Sequence, residues 1–165
     1  MLREYLEDKK KIVEGNLKEL LGNYENKYPE KLAEAMEYAV MNGGKRIRPI
    51  LMYMICDLFE KNNCESYDKI KEIANALEFI HCYSLVHDDL PAMDNDDYRR
   101  GKFTVHKKYN EAIGVLVGDV LLTEAFGIIA NSKSLGAKNK IEIISKLSEY
   151  AGFFGMVGGQ FVDME

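Results

Sequence analysis

The chain has 165 residues, of which 47% are hydrophobic and 30% are charged, values typical of one soluble globular domain with a hydrophobic core. The formal net charge of −5 disfavours nucleic acid as a general partner. The N-terminal segment lacks the apolar stretch of a signal peptide. No segment approaches the roughly 18 uninterrupted apolar residues of a membrane span, so no integral membrane segment is expected.

The cysteine content also bears on the compartment. Cys56, Cys64 and Cys82 are odd in number and lack metal-ligand spacing. Neither a disulfide framework nor a zinc site is therefore expected. This pattern favours a reducing, cytoplasmic setting.

Apolar residues recur at helical spacing through most of the chain, and alternating strand patterns are absent. The sequence therefore predicts an all-α protein of about six helices. Glycine and asparagine mark helix ends, and Pro29 and Pro49 fit first turns of helices. The predicted helices cover roughly residues 2–21, 29–41, 49–58, 67–89, 111–131 and 138–165.

A dense acidic segment separates the fourth and fifth predicted helices. It contains five aspartates within ten residues: Asp88, Asp89, Asp94, Asp96 and Asp97. Pro91 disfavours helical geometry at Leu90, so the fourth helix should end near Asp89. Carboxylates at a helix C-terminus are unfavourable, and a bound divalent cation would reverse that penalty. Aspartate oxygens with room for water and phosphate are what Mg²⁺ prefers, which predicts a magnesium site.

This segment has two other interpretations. A solvated acidic loop is the common explanation for a run of charges. A calcium-binding loop starting at Asp94 is excluded, because Arg99 occupies the position of the required glycine and Val105 that of the bidentate glutamate.

A basic segment, GGKRIRP at Gly43–Pro49, lies between the second and third predicted helices. Guanidinium groups bind phosphate oxygens as a planar fork, and lysine acts as a mobile point charge. Lys45, Arg46 and Arg48 are therefore candidate phosphate ligands. The alternative is a helix C-terminus followed by solvated basic residues.

His81 shares a helical face with Leu85 and Asp88, because residues three to four apart lie on one side of a helix. This spacing places His81 on the face that would line a cavity below Asp88. A histidine packed in the core is the alternative.

Four segments stand in a recognisable order: GGKRIRP at Gly43–Pro49, DDLPAMD at Asp88–Asp94 followed by NDDYRRG, GDVLLTEAF at Gly118–Phe126, and GGQFVDM at Gly158–Met164. Together they resemble the motifs of the trans-isoprenyl diphosphate synthases. The spacing within DDLPAMD resembles the bacterial farnesyl diphosphate synthases (geranyltranstransferases). The resemblance implies a helical bundle around a central cavity, with residues 1–165 forming the N-terminal portion of one prenyl synthase domain.

The resemblance also implies roles for individual residues. Lys45, Arg48, His81 and Arg100 match residues that hold the diphosphate of isopentenyl diphosphate. Arg99 matches a residue that contacts the allylic diphosphate. Arg46 matches the motif with a weaker expected role.

Asp88 and Asp94 are the expected direct Mg²⁺ ligands. Asp89 is expected to contact those ligands and not the ion itself. By the same resemblance, Asp88, Asp94 and Arg99 carry the catalytic chemistry. Metal ions make the allylic diphosphate a good leaving group, and the double bond of isopentenyl diphosphate then attacks the allylic cation.

Product length depends on the residues before Asp88. Tyr83 precedes Asp88 by five residues, or about 7.5 Å along a helix, and the resemblance implies that its ring stops the growing tail at fifteen carbons. The alternative is helix packing, since five residues turn the side chain about 140° away from Asp88. Ser84 is closer in angle but too small to block the tail alone.

The implied reaction joins isopentenyl diphosphate to dimethylallyl and then geranyl diphosphate, giving farnesyl diphosphate. Two other functions stay open: a geranylgeranyl diphosphate synthase, and a non-catalytic prenyl-diphosphate-binding subunit. The resemblance further implies a homodimer with the fifth and sixth helices at the interface.

The later motifs carry weaker expectations. In GDVLLTEAF, Asp119, Thr123 and Glu124 are expected to form hydrogen bonds between helices, and the alternative is that they face the cavity. Gln160 and Asp163 lie on one face of the sixth predicted helix. No aspartate pair follows Asp97, so a second aspartate-rich motif is missing. The chain is therefore expected to correspond to the N-terminal portion of such an enzyme, whether truncated, proteolysed or naturally short, and to be inactive or nearly inactive in condensation by itself.

Overall fold

The computed structural model describes residues 2–60 and 64–165. Within them lie helices α1 Leu2–Leu21, α2 Glu30–Met41, α3 Ile47–Glu60, α4 Cys64–Asp88, α5 Val105–Lys108, α6 Glu111–Asn131, α7 Ala137–Ala151 and α8 Met156–Asp163. A two-stranded antiparallel ribbon joins β1 Tyr98–Arg99 to β2 Lys102–Phe103. The prediction of an all-α fold is confirmed.

Helix α4 is the central element of the core. It packs along α6 and against α3, and α1 and α2 cover the remaining sides. The α6 positions that are buried recur every three or four residues, which is the spacing of one helix face. These buried positions are Gly114, Val117, Gly118, Leu121, Ala125 and Ile129. The end of α4 that carries the aspartates is therefore held against α6.

Helix α6 is also long and apolar enough to cross a membrane by length and composition, and it is the one such helix within the described residues. Core helices of water-soluble proteins pass the same test, so this is weak evidence for a span. Asp119 and Glu124 interrupt its apolar sequence. The absence of an integral membrane segment stays a prediction.

The predicted boundaries agree closely for most helices. α6 has the predicted bounds, and its N-terminus is capped by Asn110, whose side chain accepts a hydrogen bond from the Ile113 amide at 2.8 Å. α3 begins at Ile47, two residues before the predicted start. Pro49 falls within the first turn of α3, where its missing amide costs no hydrogen bond.

The sixth predicted helix is wrong as a single element. The structure divides it into α7 and α8 at the segment from Gly152 to Gly155. The chain turns so tightly there that a Cβ atom at Gly155 would lie 2.7 Å from Tyr150 Cα. Only glycine fits this approach, so the glycines break a helix whose apolar periodicity continues on both sides.

The ribbon and the one-turn helix α5 were not predicted. Two-residue strands are too short to produce an alternating pattern in the sequence. They connect the aspartate segment to α6 and carry the side chains of Arg100 and Lys102 to one cleft.

The structure bears on only part of the prediction that the cysteines form no disulfide framework. Cys82 is buried and forms no disulfide. The side chain of Cys64 lies outside the described part of the structure.

Candidate functional site

A cleft of about 650 Å³ opens between the α2–α3 turn, α4 and the ribbon. We call it the cationic cleft, and its lining residues are Asn42, Gly43, Gly44, Lys45, Arg46, Ile47, Arg48, Glu78, His81, Arg100 and Lys102. The residues predicted for the diphosphate of isopentenyl diphosphate, which lie up to 55 positions apart in sequence, therefore meet at one place.

The cleft has a large excess of positive charge. Glu78 is its acidic side chain, and that carboxylate is already paired with Arg46 at 2.7 Å. Within the described residues, the other four cations form no ion pair with a carboxylate: Lys45, Arg48, Arg100 and Lys102. Uncompensated cations in one concave site attract a polyanion such as a diphosphate.

Arg46 has a different role from its neighbours. Its side chain is fully buried, bonded to Glu78 and donating from Nη2 to the Val40 carbonyl at 2.6 Å. It links the α2–α3 turn to α4. The weak phosphate role expected for Arg46 stays a prediction.

Gly44 of the basic segment allows a close approach by Arg100. The Arg100 guanidinium donates to the Gly43 carbonyl, and a Cβ atom at Gly44 would lie 2.8 Å from Arg100 Cζ. Gly44 also has a φ of +124°, which other residues rarely adopt. The turn therefore holds the Arg100 guanidinium in the cleft.

His81 contacts Arg48 directly, with 3.2 Å between its Nε2 and Arg48 Nη1. Burial lowers the pKa of His81, and the charge of Arg48 lowers it further. A neutral imidazole can accept the hydrogen bond from the guanidinium. Ser84 donates its hydroxyl to the His81 carbonyl at 2.9 Å, so its contact is with the helix backbone.

The aspartate segment folds back over the C-terminus of α4. The Asp94 amide donates to the Asp88 carbonyl at 2.8 Å, and the Asp96 amide donates to the Asp89 carbonyl at 3.2 Å. These bonds satisfy carbonyls that a helix end leaves unpaired. They also bring Asp94 back beside Asp88.

Arg99 and Arg100 point to different parts of the molecule. Arg99 forms an ion pair with the buried carboxylate of Asp89 at 2.5 Å, and lies 3.8 Å from Asp96. Arg100 instead lines the cationic cleft. This division parallels the two diphosphates that the resemblance assigned to these arginines.

The donors at the aspartate end fit a magnesium ion. Burial raises the pKa of Asp88, and the nearby charge of Asp94 raises it further, which is a repulsion that a cation would relieve. Among the described residues, no group of three or more His, Cys, Asp or Glu side chains is arranged to hold a metal ion. Asp88 and Asp94 thus offer two carboxylates, a number that suits Mg²⁺ when water and substrate phosphates complete its shell.

A second cavity of about 480 Å³ lies between α3, α4 and α7 and is mostly apolar. Its lining residues are Arg48, Met52, Ile73, Leu77, Ile80, His81, Glu142, Ile143, Lys146, Leu147, Tyr150, Ala151 and Met156. Arg48 and His81 also line the cationic cleft. An apolar space therefore adjoins the charged one along the predicted face of α4.

Tyr83 is buried and lines neither of these two spaces. Its ring packs edge-on against His87, with 5.9 Å between ring centroids, and burial raises the pKa of its hydroxyl. The role of Tyr83 in limiting product length stays a prediction.

Other residues were only partly foreseen. Glu124 accepts a hydrogen bond from the Tyr24 hydroxyl at 2.6 Å, as expected for a residue that connects elements. Lys102 was missed, although it lines the cationic cleft. Its place in the cleft depends on a two-residue hairpin loop, which leaves no periodic signal in the sequence.

The comparisons with known proteins agree with this geometry. The polyprenyl synthetase family model matches residues 29–165, and the chain belongs to this family. A farnesyl diphosphate synthase of Micrococcus luteus is 50% identical over 143 residues, which cover 85% of this chain and 47% of that protein. A geranylgeranyl diphosphate synthase of Cyanophora paradoxa is 41% identical over 166 residues, covering 99% of this chain and 52% of that protein.

A solved geranyltransferase structure from Legionella pneumophila is similar as well. It superposes with a TM-score of 0.90 at 40% identity, covering 99% of this chain and 56% of that one. The chain thus spans about half the length of the relatives it matches.

Proposed function

We propose that the chain binds isopentenyl diphosphate in the cationic cleft as part of an isoprenoid prenyltransferase. The observation that carries this proposal is the set of four cations in the cleft without a carboxylate partner among the described residues. The proposed reaction condenses isopentenyl diphosphate with dimethylallyl and then geranyl diphosphate to give farnesyl diphosphate. The relatives named farnesyl diphosphate synthase support this choice.

In this proposal Lys45, Arg48 and Arg100 bind the diphosphate of isopentenyl diphosphate. His81 stays neutral and accepts a hydrogen bond from Arg48, which fixes the plane of its guanidinium. A fixed guanidinium plane binds two phosphate oxygens at once. The mostly apolar cavity beside Arg48 and His81 offers space for hydrocarbon.

The allylic diphosphate binds, in this proposal, at the C-terminal end of α4, beyond His81 on the same helix. Asp88 and Asp94 would hold Mg²⁺, which stabilises the negative charge of a departing diphosphate. Arg99, held by Asp89, adds positive charge on the same side. The bond between the allylic carbon and the diphosphate oxygen breaks, and the double bond of isopentenyl diphosphate attacks the resulting allylic cation. The proton then lost from the isopentenyl unit passes to the released pyrophosphate. Exclusion of water by apolar side chains protects the reactive carbon.

We also propose a cytoplasmic homodimer in which α6 and the α7–α8 segment form the interface. Exposed apolar side chains on these helices support it, including Val115, Leu116 and Ile141. A membrane-embedded protein would instead use α6 as a span, and the packing of α6 along α4 favours the soluble assembly.

Two alternatives remain distinguishable. The similarity to a geranylgeranyl diphosphate synthase favours a longer product, and Tyr83 decides between the products in our proposal. In a chain competent for condensation, Tyr83→Ala should shift the product from fifteen towards twenty carbons. A non-catalytic binding subunit is favoured by the single aspartate-rich loop within the described residues, and it would bind diphosphates without forming product.

The test is isothermal titration with isopentenyl diphosphate, run beside mass-spectrometric analysis of products from isopentenyl and geranyl diphosphates with Mg²⁺. The chain should bind isopentenyl diphosphate, and Arg48→Gln should weaken binding by about tenfold or more, since a charge-assisted hydrogen bond contributes roughly 1.5–3 kcal/mol. Arg3→Gln is the matched control, because Arg3 is exposed on α1. No binding by the unmodified chain would contradict the proposal.

A further inference from the structure

We propose that Lys102 is an additional ligand of the diphosphate in the cationic cleft, acting together with Lys45, Arg48 and Arg100. This inference rests on the proposed binding of isopentenyl diphosphate there. Lys102 belongs to none of the segments from which the site was predicted. It enters through the ribbon, an element that the sequence did not reveal.

The charge around Lys102 supports this role. Lys102 lines the cleft, and within the described residues it forms no ion pair with a carboxylate. The acidic side chain of the cleft, Glu78, is paired with Arg46 and has no free charge to offer. A lysine ammonium carries three donors and adapts to phosphate oxygens as a point charge, which complements the fixed forks of Arg48 and Arg100.

The ribbon delivers Lys102 to the cleft by a tight hairpin. Arg99 pairs with Lys102 across the strands, so the loop consists of Arg100 and Gly101 alone. These two residues have φ values of +55° and +78°. A two-residue loop with both residues in the left-handed region is the geometry that matches the twist of a hairpin. The turn thus brings Arg100 and Lys102 to the same cleft.

The ribbon is anchored, which limits where Lys102 can reach. The Tyr98 and Phe103 rings stack at 4.8 Å between centroids. The Tyr38 hydroxyl on α2 donates to the Phe103 carbonyl at 2.6 Å. Thr104 donates its hydroxyl to the Asp96 carbonyl at 2.9 Å. These bonds hold the backbone of Lys102 beside the cleft, so only the side chain must move to meet a ligand.

A competing role comes from the other side of the ribbon. Lys102 also borders a smaller cavity lined by Glu34 and Glu37, whose carboxylates could attract its ammonium. In that case Lys102 would stabilise the surface of α2 and leave the diphosphate unaffected. The two roles differ in their effect on ligand affinity.

The experiment compares Kd values for isopentenyl diphosphate by isothermal titration in the unmodified chain, Lys102→Gln, Lys102→Arg and Lys107→Gln. Lys107 is the matched control. It lies five residues after Lys102, on α5, and its ammonium pairs with Asp97 at 2.8 Å outside the cleft. Lys102→Gln should weaken binding about 3- to 10-fold, as expected for a partly solvated charged contact. Lys102→Arg should restore affinity to within about twofold, and Lys107→Gln should match the unmodified chain.

Arg48→Gln distinguishes a failure of the Lys102 role from a failure of the proposed function. If Arg48→Gln loses affinity while Lys102→Gln equals Lys107→Gln, the role of Lys102 is overturned and the proposed function stands. If the unmodified chain binds no isopentenyl diphosphate, the proposed function is overturned, and the role of Lys102 with it. Equal losses from Lys102→Gln and Lys107→Gln would also overturn the role of Lys102, because the effect would then reflect net charge alone.

Discussion

At the scale of single residues, the pair of Arg46 and Glu78 is the most consequential buried contact beside the site. Both side chains are almost fully buried and lie 2.7 Å apart. Arg46→Met would leave the Glu78 carboxylate buried without its partner. Removing one member of such a pair costs about 3–5 kcal/mol of unfolding free energy. Urea unfolding followed by circular dichroism measures this loss.

The double variant Arg46→Met/Glu78→Leu tests the cause. Replacing both charges by apolar groups should recover most of the lost stability, since a buried pair itself contributes little beyond an apolar pair. Arg3→Met, at an exposed site, should leave stability within about 0.5 kcal/mol of the unmodified chain. If Arg46→Met were as stable as the unmodified chain, the importance of this pair would be contradicted.

The second prediction at this scale concerns the repulsion between Asp88 and Asp94. The pKa of Asp88 is raised by burial and then by Asp94, so the folded chain holds the Asp88 proton more tightly than the unfolded chain does. Stability must therefore fall as pH rises from the ordinary aspartate pKa through the raised one. At pH 7 without metal, Asp94→Asn should relieve the repulsion and raise the Tm by about 1–2 °C.

Thermal unfolding in EDTA and in Mg²⁺ with pyrophosphate provides the measurement. The unmodified chain should gain stability in Mg²⁺ with pyrophosphate, because a ligand that binds only the folded state stabilises it. Asp94→Asn should lose most of that gain. Asp97→Asn serves as the control and should keep the gain, because the Asp97 carboxylate pairs with Lys107 in the unmodified chain. A full gain in Asp94→Asn would rule Asp94 out as a metal ligand.

At the scale of elements, the separation of α7 from α8 depends on Gly155. A Cβ atom there would lie 2.7 Å from Tyr150 Cα, so Gly155→Ala must shift backbone. Forced overpacking of this kind costs about 1–3 kcal/mol. Chemical denaturation should show that loss.

Gly159 provides a matched control four residues later within α8. An added Cβ atom at Gly159 meets nothing within 4 Å. Alanine favours a helix over glycine by about 0.8–1 kcal/mol, so Gly159→Ala should be neutral or stabilising. Equal effects of the two substitutions would mean that the turn between α7 and α8 is not held by Gly155.

The helices were predictable because their apolar residues repeat on one face, as the matching bounds of α6 show. The break at Gly155 was not, because the apolar pattern continues through it and only the tertiary turn requires glycine. For the site, Lys45, Arg48, His81 and Arg100 could be selected from motifs and spacing. Lys102 could not, since its place in the cleft depends on a hairpin too short to leave a periodic signal.

At the scale of the whole molecule, α4 joins two regions of opposite charge. His81 and Asp88 are seven residues apart on this helix, or about 10 Å at 1.5 Å per residue. Arg99 and Arg100 follow directly and divide between the two regions. In our account the cationic cleft takes one diphosphate without metal, and the aspartate end takes the second diphosphate through Mg²⁺.

The chain also leaves large apolar side chains exposed around these regions. Phe153 and Phe154 lie in the turn between α7 and α8 and are more than 80% exposed, and Phe59 on α3 is similarly exposed. Apolar surface of this kind marks interaction sites. We therefore expect diphosphate binding by this chain, and condensation only where those surfaces are covered.

The most direct test of the two-region account is a pair of equilibrium titrations, with isopentenyl diphosphate and with geranyl diphosphate, each in EDTA and in Mg²⁺. The account predicts that the Kd for isopentenyl diphosphate changes less than about threefold between the two conditions, a difference under 1 kcal/mol. Geranyl diphosphate should bind tightly only in Mg²⁺, and Asp88→Asn should abolish that dependence. Tight binding of isopentenyl diphosphate only in Mg²⁺, or metal-independent binding of geranyl diphosphate, would contradict the account.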